Sequence, residues 1–553
     1  MRKDGTLSGE VIPAGERRKW APYLVFGLCL LVYLYPFMRM VLLNGDEGTF
    51  LSGAVRVTEG QVPFRDFFEV PGPGSFYWLA LFFKLLGTTF LTARLSLALT
   101  TLGTALLMYF LARRLGTRYS AMPAVFSLAT SFGRLWPAIS HHHDSDLFAL
   151  LAFTALLSWI DTRRLLLLFA AGLLAGVTTC FTQPKGVFLF ISFAVLVLVL
   201  GGKARLLSSL GWLTGGYLAV GITVVFLYWR AGALHDLIYA NVIWPLTQYD
   251  AVNKVPYAHE ILTLYGGSWV SALSPAVSPV VAFAIASFLM LPLFLVAALP
   301  VIAVLAALRY KGAAFNRSTW PYWAAGSALW LSEIHRKDIT HLVSGSLLLM
   351  IPVFYLLGRE RQRFNLQCAQ LICLSTFGLA IFNLFITLAA HRVETARGAV
   401  YTFESDPVLE FLNAHVQPGQ EIFVYPYCPI YYFLSGARNP TRYSILMYGI
   451  NTDSQFREAV NSLEAKKIRY VIWDREFNDK GALLAWPAYS VPPKERLIME
   501  PYLGTHYQLL ERMKRFDILE RKPEPIQFSS ELTGDAEILI YKLLRPLSRE
   551  PGL

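Results

Sequence analysis

The chain has 553 residues, of which 55% are hydrophobic, 14% aromatic and only 16% charged, and its formal net charge is +11. Soluble globular chains carry about 25% charged residues. A deficit of this size, with a mean hydropathy of +0.44, excludes disorder, a coiled coil and an ordinary soluble enzyme, and indicates a polytopic membrane protein. The five cysteines are widely spaced and form neither a metal-binding pattern nor a disulfide framework.

The N-terminal segment is polar, with Arg17, Arg18 and Lys19 directly before an apolar run at about 21–43. The run is too long for a signal-peptide core, and no small-residue cleavage site follows it. We therefore predict that residues 1–20 are cytoplasmic and that the run is an uncleaved first span.

Ten further apolar runs are separated by loops, and basic clusters occur in every second loop, which places them all on the side of the N-terminus. The predicted spans lie near 90–112, 119–138, 146–161, 165–182, 187–202, 206–229, 278–307, 319–334, 342–358 and 367–389. The positive-inside rule then predicts about eleven spans, with the C-terminus on the outer side. The apolar segment 75–87 has only 13 residues and carries Lys84, so we interpret it as an amphipathic helix at the outer interface.

The composition changes at His391, where charges become frequent. Residues 421–427 and 468–474 are predicted strands, and 408–416 and 456–467 have helical spacing. The fold class is therefore a polytopic α-helical membrane protein with a C-terminal extramembrane α/β domain. The expected domains are a multispan unit at 21–390, with its first outer loop at 44–89, and a periplasmic or extracellular unit at 391–553.

The first outer loop opens with two adjacent carboxylates, Asp46 and Glu47, directly after the first span. Ionisable groups beside a bilayer are costly unless they have a function. One carboxylate can act as a base while its neighbour orients a substrate or a cation. The alternative is a helix end that simply enters water.

Three other polar groups fall on the predicted outer side, in the segments 134–146, 183–186 and 333–341. The basic residues of these segments lie on the side where the positive-inside rule predicts few of them. This placement indicates that they bind an anion such as a phosphate. Surface solvation is the alternative for any one of them. The candidate binding residues are Arg65, Arg134, His142, His143, Asp144, Lys185, His335, Arg336, Lys337 and His341.

A metal site is disfavoured in the run His141-His142-His143, because consecutive histidines cannot all face one ion from a regular helix. A polar wall that faces a phosphate or a sugar fits the run better. We predict no metal ligands and no required cofactor, and leave a divalent metal open.

Several short motifs occur in a characteristic order. They are Asp46-Glu47-Gly48, GQVPFRDF (60–67), PGPGSFYW (71–78), FFKLLG (82–87) and ARLS (93–96). In this order they resemble the GT-C superfamily of integral-membrane glycosyltransferases, especially the bacterial branch related to protein mannosyltransferases and lipid A aminoarabinose transferases. The resemblance is most specific over residues 40–115.

The resemblance implies a catalytic acidic pair in the first outer loop, with Asp46 at the catalytic position and Glu47 as its partner. It also implies a donor sugar carried on a polyprenyl phosphate. Two departures limit the comparison. The residues directly before Pro71, Glu69 and Val70, offer no lysine, which disfavours aminoarabinose as the sugar. Trp473-Asp474 lacks the first tryptophan of the Trp-Trp-Asp signature, which disfavours transfer of a preassembled glycan to asparagine.

The predicted function is an inverting, polyprenyl-phosphate-sugar-dependent glycosyltransferase of the bacterial inner membrane. Its acceptor would be a hydroxyl of a lipid, a cell-envelope glycan or a protein on the outer side. Nucleic acid is excluded as a partner, because the positive charge lies in short loops. The alternatives are a transporter or lipid flippase for envelope precursors, which would place ionisable groups at mid-membrane, and a scaffold, which leaves the acidic pair without a role.

Overall fold

The computed structural model describes residues 14–41, 45–131, 138–249, 253–314, 316–359, 363–388, 390–477 and 482–523. The chain is helical as far as residue 387, and a small mixed α/β unit follows.

The first part of the chain is built of helices. They are α1 (Ala14–Leu34), α2 (Gly45–Thr58), α3 (Gly74–Leu86), α4 (Phe90–Leu115), α5 (Met122–Ser131), α6 (His141–Thr162), α7 (Leu165–Phe181), α8 (Gln183–Leu200), α9 (Leu206–Arg230), α10 (Leu234–Ile238), α11 (Gly267–Leu273), α12 (Pro279–Leu289), α13 (Leu291–Ala297), α14 (Leu299–Ala314), α15 (Trp320–Ser332), α16 (Ile339–Arg359) and α17 (Arg363–Thr387). Short π-helical turns connect α10 to α11.

Seven helical segments in the described residues are long and apolar enough to cross a membrane. They are Trp20–Arg39, Phe90–Leu115, His141–Thr162, Gln183–Leu200, Leu206–Arg230, Ile339–Arg359 and Leu366–Phe385. The pair α12 and α13, bent by 46°, makes an eighth if it is one broken span. The chain is therefore a polytopic integral membrane protein.

The predicted count of about eleven spans is not confirmed. The segments predicted at 119–138, 165–182 and 319–334 form helices of only 10, 17 and 13 described residues, and 132–137 lie outside the described residues. The first turn of α15 and most of its length are buried against neighbouring helices. A helix covered by protein need not match the bilayer thickness, whereas a lipid-facing one needs about 20 residues. Short helices of this kind can therefore still be spans, and the count of about eleven stays a prediction.

The C-terminal unit contains two sheets. Its elements are β1 (His391–Val393), β2 (Val400–Thr402), α18 (Pro407–His415), β3 (Phe423–Tyr425), α19 (Ile430–Ser435), α20 (Asp453–Lys466), β4 (Tyr470–Asp474), α21 (Ala482–Ala485), α22 (Met499–His506), β5 (Tyr507–Met513) and β6 (Phe516–Arg521). Strands β1 and β2 pair antiparallel, and the larger sheet has the order β3-β4-β6-β5, with β3 and β4 parallel and the other pairs antiparallel. The expected α/β character is confirmed.

Helix α20 shows why this sequence folds as it does. Thr452 caps its N-terminus by accepting from the backbone of Gln455, whose side chain bonds back to the cap. The apolar positions Phe456, Ala459 and Leu463 are fully buried and recur at helical spacing, so the helix covers the sheet as the β3-to-β4 crossover.

The C-terminal unit is joined to the helical part by backbone and side-chain contacts. The N–H of Val41 donates to the carbonyl of Tyr401 (2.9 Å), and that of Phe68 donates to the carbonyl of Arg442 (2.8 Å). One buried hydrophobic core contains residues of both parts, such as Leu51 and Ile430. The two parts therefore share a packed interface around α2.

Candidate active site

Glu47 lies in the first turn of α2 and is completely buried. Both of its carboxylate oxygens accept from the guanidinium of Arg94 on α4, and its Oε1 also accepts from the N–H of Ile139 (3.0 Å). Arg94 also donates to the carbonyl of Met40 from Nε (3.0 Å) and Nη2 (2.6 Å). A bidentate buried pair of this kind has strict geometry, so Glu47 fixes the start of α2 against α4.

Asp46, the preceding residue, is exposed. Its Oδ1 accepts a hydrogen bond from the hydroxyl of Tyr427, which lies in the loop after β3. The adjacent carboxylates thus point in different directions. Asp46 faces solvent and is accessible from outside the protein. Glu47 faces the protein interior.

A buried network lies next to this site, at the N-terminal ends of α6, α8 and α16. The fully buried Lys185 places its Nζ 2.6 Å from Asp146 Oδ1, 2.8 Å from Ser344 Oγ and 3.3 Å from Glu333 Oε1. Ser344 also donates to both oxygens of Asp146 (3.1 and 3.0 Å). The ammonium of Lys185 forms ion pairs with two carboxylates inside the protein.

The histidines of the α6 N-terminus have different polar neighbours, although the ring centroids of His141 and His142 lie only 4.1 Å apart. His141 Nδ1 lies 2.8 Å from Thr182 Oγ1, whereas the Nδ1 of the buried His142 lies 3.7 Å from Glu333 Oε1. His143 is half-buried on the same helix. The next residue, Asp144, is buried and accepts from Ser75 Oγ at 3.0 Å.

One set of three potential metal ligands occurs in the described part of the chain. Single ligand atoms of His142, Glu333 and His341 all lie within 4.8 Å of one another. His341 Nδ1 lies 2.7 Å from Asp338 Oδ1, which leaves its Nε2 for a ligand. These residue types suit zinc, but Lys185 already lies against Glu333.

Arg336 connects the turn before α16 to the C-terminal unit. Its Nε donates to Asp338 (2.5 Å), and its Nη2 donates to the carbonyl of Ala485 (3.0 Å). The guanidinium carbon lies 5.2 Å from the ring centroid of Trp486, within cation–π distance. The indole ring meets the Tyr427 ring edge-on at 5.7 Å. The Trp486 ring therefore separates Arg336 from Tyr427, the residue that contacts Asp46.

The remaining candidates are less closely associated with Asp46. Arg65 pairs with Asp66 (2.8 Å) and donates to the carbonyl of Ala231 (2.6 Å), which anchors the first loop to the end of α9. His335 is exposed and Lys337 is half-buried in the turn before α16. Arg134 lies outside the described residues.

Glu260 is a further acidic residue, which the sequence reading does not single out. Its loop is attached to the turn before α16, because the N–H of Ala258 donates to the carbonyl of Lys337 (2.7 Å) and the N–H of Ile339 to that of His259 (3.2 Å). Burial raises the pKa of Glu260 to about 8, and the negative charges of Asp338 and Asp46 contribute to the rise. The positive charge of Arg336 opposes it. Glu260 has a φ of +79°, a strained value for a non-glycine residue.

Tyr427 and Trp486 are also absent from the sequence-based set. Aromatic residues of a soluble-looking segment give no signal that they face a membrane domain, because their role depends on how the two parts dock. The one sequence feature that draws attention to the neighbourhood of Glu260 is the length of the loop between the predicted spans at 206–229 and 278–307.

The chain is similar to a known protein family and to several solved structures. Residues 70–229 match the family model described as dolichyl-phosphate-mannose-protein mannosyltransferase. The apo crystal structure of ArnT from Cupriavidus metallidurans aligns with a TM-score of 0.54 at 12% identity, over 92% of this chain and 100% of that one. The chain has the GT-C fold.

Two further structures align with lower scores. ArnT from the same organism bound to undecaprenyl phosphate gives a TM-score of 0.49 at 12% identity, covering 91% of this chain and 99% of that one. The oligosaccharyltransferase AglB from Archaeoglobus fulgidus, in complex with an inhibitory peptide and a dolichol-phosphate, gives 0.41 at 12% identity, covering 92% and 75%. No curated protein matches the sequence. The resemblance expected from the short motifs is confirmed by the GT-C fold.

Proposed function

We propose that this GT-C protein is an inverting glycosyltransferase that moves a sugar from a polyprenyl-phosphate donor to an acceptor hydroxyl. The acceptor belongs to a lipid, a cell-envelope glycan or a protein. The observation that carries the proposal is the placement of the polar residues. Asp46, Asp146, Lys185 and His341 all lie in the first two turns of their helices, at the end of the bundle that meets the C-terminal unit.

Asp46 is the proposed general base. It is exposed, and its hydrogen-bonding partner in the structure is a neutral hydroxyl, so it can accept the proton of an acceptor hydroxyl as that oxygen attacks the anomeric carbon. Glu47 supports this role indirectly, because its buried pair with Arg94 holds the first turn of α2 in place. The two adjacent carboxylates are therefore proposed to divide their roles, with Asp46 reactive and Glu47 anchoring.

The leaving group is a phosphate monoester with a second pKa of about 6, so it departs without a general acid. It needs positive charge where negative charge develops. Lys185 is paired with Asp146 and Glu333, and the buried Arg336 is paired with Asp338. The more accessible Lys337, together with His335, is therefore proposed to meet the phosphate. A single displacement on the face opposite the phosphate inverts the anomeric centre.

The proposed orientation follows from the same placement. The polar helix ends and residues 391–553 would lie on the periplasmic or extracellular side of the bacterial inner membrane, with the N-terminus cytoplasmic. The polyprenyl chain would lie along exposed apolar positions of the spans, which explains why the enzyme is embedded in the membrane. The required partners are then the lipid-linked donor, the acceptor and the surrounding bilayer.

A transporter or flippase is the competing function. Such proteins place their ionisable sites near the middle of the bilayer, often at broken helices. One bent pair, α12 and α13, is present among the described helices, but its residues 279–297 carry no ionisable side chain. The polar residues at the helix ends therefore favour the transferase.

The test is transfer from radiolabelled polyprenyl-phosphate sugars by purified protein in proteoliposomes that contain candidate acceptors. Asp46→Asn should lower transfer by about 10²- to 10⁴-fold with unchanged yield. Asp161→Asn is the matched control, because Asp161 is an exposed aspartate at the other end of α6 that pairs with Arg114 at 2.6 Å. Full activity of Asp46→Asn, or lipid translocation without transfer by the wild type, would overturn the proposal.

A further inference from the structure

Helix α2 presents a face of small residues to the C-terminal unit. A Cβ added to Gly45 would collide with the ring of Tyr427, and one added to Gly48 would collide with the backbone of Ile430. One turn further along, Ser52 Oγ donates to the carbonyl of Pro429 (3.1 Å). Three small residues on one face thus allow the 427–430 segment to lie directly on the first turns of α2.

Tyr427 is also held from behind. Its ring centroid lies 5.0 Å from that of Phe477 and 5.7 Å from that of Trp486. The indole in turn lies beneath the guanidinium of Arg336. Aromatic contacts on one side and Gly45 on the other leave the tyrosine little freedom, so its hydroxyl is directed at Asp46.

We propose that Tyr427 is a positioning residue for Asp46, and that the C-terminal domain thereby completes the active site. The inference rests on the proposed function, in which Asp46 is the base. The Tyr427 hydroxyl occupies Oδ1 of Asp46, which leaves Oδ2 for the acceptor hydroxyl. An exposed aspartate otherwise samples several rotamers, and a base must lie within hydrogen-bond distance of the proton that it removes.

The electrostatics keep Tyr427 a donor. Burial, and then the charge of Asp46, raise the pKa of Tyr427 well above its usual value, although Arg336 opposes this shift. The hydroxyl therefore stays protonated at neutral pH and continues to hold the carboxylate. A tyrosine that merely packed against α2 would not need its hydroxyl at all.

The first experiment removes only that hydroxyl. Tyr427→Phe should lower kcat by about 10- to 100-fold, because the base is less well oriented, while KM for the donor stays within error. Tyr443→Phe is the matched control, since its hydroxyl donates to Glu458 (2.6 Å) elsewhere in the same domain. Equal kcat values for the two variants, with Asp46→Asn inactive, would overturn the inference and leave the proposed function standing.

A second variant keeps the hydroxyl but moves it. In Gly45→Ala the new Cβ occupies the position of the Tyr427 ring, so kcat should fall as it does in Tyr427→Phe. Combining the two substitutions should lower kcat little further. Independent, multiplicative losses would contradict a shared cause.

A third measurement does not depend on activity. Melting temperatures of Asp46→Ala, Tyr427→Phe and the double variant form a thermodynamic cycle. Non-additive shifts support the contact, even if the wild type transfers no sugar and the proposed function fails. Additive shifts would show that the two side chains do not interact and would overturn the inference.

Discussion

Two neighbouring charged regions differ in how completely their groups are paired. In the buried network, Lys185 meets Asp146 and Glu333, and its ammonium is inaccessible to solvent. In the Asp46 site, the carboxylate is exposed and its hydrogen-bonding partner is the Tyr427 hydroxyl. A charge balanced inside a low-dielectric interior mainly maintains structure, whereas an accessible carboxylate with a neutral partner can take a proton. The difference supports a structural role for the first region and the proposed catalytic role for the second.

The strongest test of this division is Lys185→Met. Removing the ammonium leaves two buried carboxylates without their cation, which should cost about 3–5 kcal/mol of stability. Thermal unfolding in detergent and the yield of monodisperse protein would measure the loss. Lys466→Met is the control, because Lys466 makes a lysine–glutamate pair of the same 2.6 Å length at the surface and should cost at most about 1 kcal/mol. Equal losses would show that the network is not the structural region.

Arg94→Lys should have a smaller effect. The lysine keeps the charge beside Glu47 but cannot donate to both of its oxygens and to Met40. We expect a loss of about 1–3 kcal/mol in stability and reduced transfer, because the first turn of α2 carries Asp46. If stability falls while transfer is unchanged, Glu47 does not support the base, and the comparison must be revised.

Glu69 allows a pH test outside the site. Burial raises its pKa to about 8, against a hydrogen bond from Ser444 and the charge of Arg56. Between the ordinary value of 4.5 and about 8, the folded state holds a proton that the unfolded state has lost, so stability falls as the pH rises through this window. Glu69→Gln should therefore raise the melting temperature at pH 9 relative to the wild type, more than at pH 4. The same difference at both pH values would contradict the raised pKa.

Chelation is expected to have the smallest effect. His142, Glu333 and His341 can hold a metal ion by their positions, but Lys185 already lies against Glu333, and the phosphate leaves without a general acid. EDTA should change transfer by less than about twofold, because protein cations rather than a metal ion are proposed to stabilise the negative charge on the phosphate. Loss of activity that zinc restores would instead place this triad in the reaction.

Much of the architecture follows from sequence pattern alone. Long lipid-facing runs such as 206–229 appear as helices, because a bilayer demands about 20 apolar residues. The runs near 119–138 and 319–334 form shorter described helices, since a helix covered by protein is equally apolar at shorter length. Asp46 stands out because a carboxylate beside a span is costly. Tyr427 could not be found, because it lies 381 positions away in the chain and reaches Asp46 through domain packing.

The sequence by itself determined the membrane class, the helical body, the α/β unit and the acidic pair, because hydropathy and charge act locally along the chain. The tertiary structure decided which carboxylate of that pair is accessible and which is anchored. It also decided that Lys185 lies in a buried network and that Tyr427 contacts Asp46. These outcomes depend on distances between residues from 39 to 381 positions apart in the chain, and such distances arise only when the helices and the C-terminal unit pack together.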